Sequence, residues 1–181
     1  MENARNRHGR VFGLKSHIAI AKHNGVTDSQ MDEILKIAAV RDESDFAKQN
    51  VFGKGDLNTA YAKYFTGDSY LKPLTNPQET ALHMSNVTFE PATRNNWHVH
   101  HATAGGGQIL ICTAGEGWYQ EWGKPAVSLT PGVVVTIPAN VKHWHGAKAD
   151  SWFSHIAIEV PGENRSNEWL EPVSDEEYSK L

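Results

Sequence analysis

The sequence predicts an all-β domain folded as a sandwich or barrel, with a helical arm at the N-terminus and a short helix at the C-terminus. Three observations lead there. From about Val51 the chain becomes short runs of β-forming residues between Gly, Pro and Asn turn signals. Their spacing of roughly 8–12 residues is that of a sandwich or barrel. From Leu14 to Val40 the apolar spacing is instead helical. At the far end, Ser174-Asp175-Glu176-Glu177 has the form of a capping box. The length of 181 residues, 39% hydrophobic and 21% charged, suits one compact domain with an appendage.

In chain order, residues 1–48 form the arm. Leu14 to Ala21 is expected to make a first helix, broken at Asn24-Gly25. Thr27-Asp28-Ser29-Gln30 reads as a capping box, Thr27 accepting from the backbone of Gln30 and Gln30 reaching back. Met31, Ile34, Leu35 and Ala38 then recur at i, i+3, i+4 and i+7, one apolar stripe. So short an arm buries little alone and is expected to pack on the rest of the chain or on a second subunit. Residues 49–173 are the barrel, with candidate strands Ala81–Phe89, Asn95–His101, Gln108–Thr113, Gly117–Trp122, Gly132–Ile137, Val141–Ala147 and Trp152–Val160. Residues 174–181 form the helical tail.

Composition excludes several classes. Lys and Arg number 17 against 21 Asp and Glu, a net −4, so no basic stripe for nucleic acid is expected. No apolar run is long enough to cross a membrane, and Met1 to Arg10 lacks the apolar core of a signal peptide, so a cytoplasmic location is expected. A single cysteine, Cys112, allows no intrachain disulfide and no thiolate zinc cluster. The small arm and open sheet edges invite pairing, so a homo-oligomer, dimer or tetramer, is expected.

Ten histidines are the unusual count, and six lie between positions 98 and 155. His98 and His100 are one residue apart, as are His143 and His145. In a strand, such pairs emerge side by side on one face. His155 sits opposite Ile156 in its segment. In a closed barrel one inward face holds all five, and neutral imidazoles buried together need partners. A divalent cation is an economical one. His101 falls on the other face of its strand and is read as structural, as are the scattered His8, His17, His23 and His83.

The spacing carries a resemblance. His98-x-His100 is followed by Gln108 and, six residues on, Gly115. Gly132, five residues, Pro138-Ala139-Asn140, two residues and His143 follow later. These two blocks resemble the motifs of the cupin superfamily, which implies a double-stranded β-helix, the jelly-roll barrel. In the second block only Asn140 departs, standing where a Gly is usual, a role an αL-tolerant Asn can fill. In the first, Ala92 stands for a Gly, extra residues within Ala102-Thr103-Ala104-Gly105-Gly106-Gly107 lengthen the run, and Gln108 replaces Glu. Carried over residue by residue, the metal ligands are His98, His100, Gln108 and His143. The phrases Val87-Thr88-Phe89-Glu90-Pro91, Gly107-Gln108, Lys142-His143-Trp144-His145-Gly146-Ala147 and His155-Ile156-Ala157-Ile158 resemble the bacterial cupins that include manganese-dependent hydroxynitrile lyases. That likeness implies a three-His, one-Gln site, with His145 and His155 in proton transfer. Residues 14–40 also resemble a fragment of the carboxymuconolactone decarboxylase family, without its Cys-x-x-His element, so the arm is read as structural.

Three neutral histidines and a neutral Gln leave a divalent ion its full charge, where Glu would halve it. Such a site is a strong Lewis acid and disfavours oxidation to the trivalent ion. One divalent transition metal per chain is expected; the donor set suits manganese, iron, cobalt, nickel or zinc without choosing among them, and the resemblance implies manganese first. The function expected is Lewis-acid lyase chemistry on a small oxygenated molecule, cyanohydrin cleavage or formation foremost. A cupin dioxygenase and a non-catalytic small-molecule binder are the alternatives. Trp97, Trp118, Tyr119, Trp122 and Trp144 are candidate cavity walls, although Trp144 alternates with His143 and His145 and should point away. Cys112 is assigned no chemistry.

Overall fold

The computed structural model describes residues 21–76 and 78–181, and leaves out the side chains of residues 32 and 34–41. All but the last residue of the first arm helix falls outside the described residues, as do His8 and His17. The stripe residues Ile34, Leu35 and Ala38 lie among the side chains left out. The chain divides into two compact units, one ending at Ser44 and the other running Asp45–Leu181. Helix α1 (Asp28–Gln49) begins at the expected capping box. Gln30 N donates to Thr27 Oγ1 at 3.2 Å, and Thr27 N donates to Gln30 Oε1 at 3.0 Å.

The strands follow in chain order: β1 (Asp56–Leu57), β2 (Phe65–Thr66), β3 (Ser69–Pro73), β4 (His83–Phe89) and β5 (Arg94–Asn95). Next come β6 (His98–His101), β7 (Ala104–Gly105), β8 (Gln108–Gly115), β9 (Gly117–Glu121) and β10 (Val127–Leu129). Last are β11 (Val134–Ile137), β12 (Lys142–Ala147), β13 (Phe153–Glu159), β14 (Gly162–Glu163) and β15 (Ser166–Trp169). One sheet runs β1-β3-β4-β13-β8-β11; the other runs β10-β9-β12-β5-β2, with β6 between β12 and β15. All the pairings are antiparallel, and the two sheets form the jelly-roll barrel.

Alternation explains the core. Along β8, Gln108, Leu110, Cys112 and Ala114 are buried while the residues between them are only half-buried. Phe89, Leu110, Leu129, Ile137 and Phe153 fill one end of the interior. Trp144 points the other way, as its position between His143 and His145 requires, joining Trp97 and Val173 and donating Nε1–H to Gln120 Oε1 at 2.8 Å.

Two expectations need adjustment. The single strand expected over Asn95–His101 is two, because the intervening backbone bonds elsewhere: Asn96 N to Tyr64 O at 2.8 Å and Trp97 N to Glu171 O at 3.0 Å. Strands β3, β10 and β15 carry weak β signals. The sequence of β15, Ser-Asn-Glu-Trp, forms a strand because β6 offers it a ladder. Among the described residues, no helix is long and apolar enough to cross a membrane.

The turn residues behave as their chemistry requires. Asn140 adopts φ +66° in the place of a glycine, and its side chain adds a clamp. Its Nδ2 donates to Ala102 O at 2.9 Å, and its Oδ1 accepts from Ala102 N at 3.3 Å. The lengthened run after β6 folds into β7, paired with β14. It closes at Gly107, φ +92°, where a Cβ would lie 2.2 Å from Ile137 O. The tail helix α2 (Asp175–Tyr178) starts from the expected capping box at Ser174 and Glu177. Buried Arg94 anchors it, donating Nε to Val173 O at 3.2 Å and a second nitrogen to Asp175.

Ala92 holds φ +65°, a left-handed conformation that strains any residue with a Cβ. Ala92→Gly is therefore expected to stabilise the fold by about 0.5–1 kcal/mol, read as a higher urea midpoint. A lower midpoint contradicts the strain.

Candidate metal centre

Strands β6 and β12 lie side by side with His143 opposite His98. Alternation puts His98 and His100 on the inner face of one, and His143 and His145 on the inner face of the other. The ring centroids are 4.1 Å apart for His98 and His143, 5.2 Å for His98 and His100, and 5.4 Å for His100 and His143. Gln108 opens β8, opposite Ile137 and Glu159.

Backbone and side-chain oxygens set the tautomers. His98 Nδ1 lies 2.9 Å from Asn96 O, and His143 Nδ1 lies 2.9 Å from Val141 O. His100 Nδ1 lies 2.8 Å from Asn167 Oδ1. Each of these oxygens only accepts, so each Nδ1 carries the proton and each Nε2 keeps its lone pair. The Nε2 of His100, the Nε2 of His143 and Oε1 of Gln108 are buried without a hydrogen-bond partner. Orphaned lone pairs converging in one interior are costly unless a cation takes them, and the donor set fits a divalent transition ion.

Distance alone groups the rings differently. One nitrogen each of His98, His143 and His145 falls within 4.8 Å of the others. His145, however, is engaged by Asn95. Asn95 Oδ1 accepts from His145 N at 2.9 Å, which turns Nδ2 toward the imidazole, 3.1 Å from Nε2 and 3.4 Å from Nδ1. An amide N–H can only donate, so the ring nitrogen it faces is an acceptor already in use. His100 therefore has the freer lone pair. His155 lies deeper, fully buried between Phe89 and Phe153, edge-on to His145 at 4.8 Å, with neither ring nitrogen bonded.

Burial pushes all five imidazoles below their usual basicity, His143 to about 4 and His155 to about 3. For His98 and His145 desolvation is again the main cause, with neighbouring histidines second, and for His100 it outweighs the opposing pull of Asn167 and Glu159. The inner face is thus a set of neutral bases.

A cavity of about 270 Å³ opens beside these groups, bordered by His98, His100, Gln108 and His145. Its apolar side includes Phe65, Leu71, Val87 and Trp169. The expected wall aromatics do not line it. Trp97, Trp118 and Trp144 pack in a separate cluster, Trp122 is 54% exposed, and Tyr119 touches His143 from within the core. The wall is Trp169, stacked on His98 at 4.7 Å and backed by Tyr64 at 4.6 Å. Trp169 sits in a segment without a strand signal, and Asn95 and Asn167 are ordinary in sequence, so none of the three was marked out. His83, read as incidental, borders the cavity, whereas His101 turns away to Glu168 at 2.7 Å.

No family profile matches the chain. It is 39% identical over 120 residues to the (R)-mandelonitrile lyase of Granulicella tundricola, covering 66% of this chain and 88% of that protein. Among solved structures it resembles a cupin-like protein from Thermotoga maritima, 40% identical, covering 72% of this chain and 95% of that one with a TM-score of 0.62.

In acid, the unfolded chain's imidazoles take up protons that the buried ones refuse. Stability of the metal-free protein should be full above pH 6.5 and fall as the pH drops toward 4 and 3, the values for His143 and His155. Each group adds a slope of up to about 1.4 kcal/mol per pH unit. Urea denaturation from pH 8 to pH 5 reads this, and His155→Phe is expected to flatten the slope by one histidine's share. Stability independent of pH contradicts neutral burial.

Proposed function

The chain belongs to the cupin superfamily, and from that premise we propose that it is a metal-dependent lyase acting on a small oxygenated substrate, with an aromatic cyanohydrin as the leading case. The observation that carries the proposal is that Nε2 of His100 and His143 and Oε1 of Gln108 are buried in one barrel interior without hydrogen-bond partners, with His100 and Gln108 bordering a cavity that has an aromatic wall. The name of the Granulicella tundricola relative supports the same reaction class.

His98, His100, Gln108 and His143 would hold one divalent ion, manganese ahead of iron, zinc, nickel and cobalt. Bound there, the ion supplies Lewis acidity that none of these four ligands offsets with a negative charge. The other steps belong to the chain. Trp169, Phe65, Leu71 and Val87 take the aromatic ring and exclude water from it. His145, held in orientation by Asn95, stands at the cavity wall, and His155 stands behind it. The proton leaving the substrate hydroxyl passes to an imidazole nitrogen of this pair as the carbonyl forms and the bond to the nitrile carbon breaks. Cyanide departs with the bonding electrons and recovers that proton, so the histidines end as they began. Burial holds both rings neutral; both His155 ring nitrogens are unbonded, whereas His145 must release the hydrogen bond from Asn95 to accept.

The purified protein is expected to contain one metal per chain and to release cyanide from mandelonitrile. Chelation should abolish the release, and re-addition of metal should restore it. His143→Ala should lower metal content at least tenfold, a ligand being worth more than the groups that orient it. Unchanged metal in that variant overturns the ligand set; full metal with no cyanide release overturns the lyase.

A further inference from the structure

Nothing in the chemistry above uses Glu159, the last residue of β13. Its Cα lies opposite Gln108 of β8 on one side and His83 of β4 on the other. Directly opposed residues stand about 5 Å apart at Cβ, so its carboxylate shares a rung with a proposed metal donor. Among the described residues lining the cavity, with histidine counted neutral, Glu159 alone carries a formal charge, and neither Lys nor Arg lines it.

A smaller pocket of about 170 Å³ adjoins, bordered by His101, Val160, Arg165 and Ser166. It shares His100, Glu159 and Asn167 with the cavity, so Glu159 fronts both spaces. Arg165 Nη1 lies 3.8 Å from Glu159 Oε2, beyond hydrogen-bond reach, and both side chains are more than a third exposed. A loose, solvated pair of this kind cancels little of the carboxylate's field toward the cavity.

We propose that Glu159 is a specificity-determining residue that weakens binding of substrates bearing a carboxylate relative to uncharged ones of the same shape, opposing the attraction of the bound ion. The inference rests on reading the cavity as the substrate site of the lyase. A carboxylate seated on the apolar wall meets a like charge across a space bounded by Leu71, Val87 and Trp169, partly screened because Glu159 is itself more than a third exposed. A nitrile, amide or aldehyde of the same shape meets no such repulsion. Selection of this sort works by a repulsive element rather than an added contact. Arg165, beside Glu159 in the adjoining pocket, acts in the opposite direction.

Calorimetric titration of the metal-loaded protein with mandelate and with its neutral amide, mandelamide, tests this. Glu159→Gln is expected to tighten mandelate relative to mandelamide by about threefold to fivefold. Glu159→Ser should shift the ratio the same way, and Arg165→Gln should shift it about threefold in reverse. Thermal melts establish that each variant is folded. A ratio moving less than twofold in both Glu159 variants, or equal tightening of both ligands, overturns the proposal. Cyanide release measured in parallel separates the two readings. A shifted ratio without cyanide release removes the lyase and keeps the selectivity, while release with an unmoved ratio does the reverse.

Discussion

The arrangement depends on one constraint: a row of imidazoles is taken out of water on the inner face of a β barrel, and four of its ring nitrogens and a glutamine oxygen find no partner there. Leaving such groups unbonded opposes folding, so the barrel around them must be held by other means. Two antiparallel sheets with an interior of Phe89, Leu110, Leu129, Ile137 and Phe153 provide that holding. Strand register then does the positioning. Because His98 faces His143 across adjacent strands, a slip of one residue would turn either pair of histidines out of the barrel.

The groups around the imidazoles decide what each can do. Main-chain oxygens of Asn96 and Val141 and the side chain of Asn167 take the Nδ1 protons of His98, His143 and His100. Asn95 does the opposite at His145, donating into the ring. Four imidazoles of similar burial are thereby divided into three with a lone pair free for a cation and one directed at the cavity. The cavity these bases border is also lined by apolar groups, Trp169, Phe65 and Val87, with Trp169 stacked on His98.

Much of this was legible in the sequence where the signal was periodic. The one-residue gaps in His98-x-His100 and His143-x-His145 implied a shared face, and Thr27 with Gln30 and Ser174 with Glu177 implied caps; the hydrogen bonds match. Asn140 in place of a glycine implied a left-handed turn, which its φ of +66° matches. What escaped was non-local. Trp169 reaches His98 through β15, a polar edge segment ordered only by its neighbour β6. The wall aromatics differ from expectation because alternation tells which residues share a face but not which face meets the cavity. Trp97 further depends on the break between β5 and β6, which is made by bonds to Tyr64 and Glu171.

The central claim, that tautomer rather than proximity chooses the donors, is tested most directly by anomalous scattering from crystals of the metal-loaded protein. The expected result is one ion per chain bonded to His98, His100 and His143 through Nε2 and to Gln108 through Oε1, with His145 still held by Asn95. An ion bonded to His145 in place of His100, or seated elsewhere in the barrel, would contradict it.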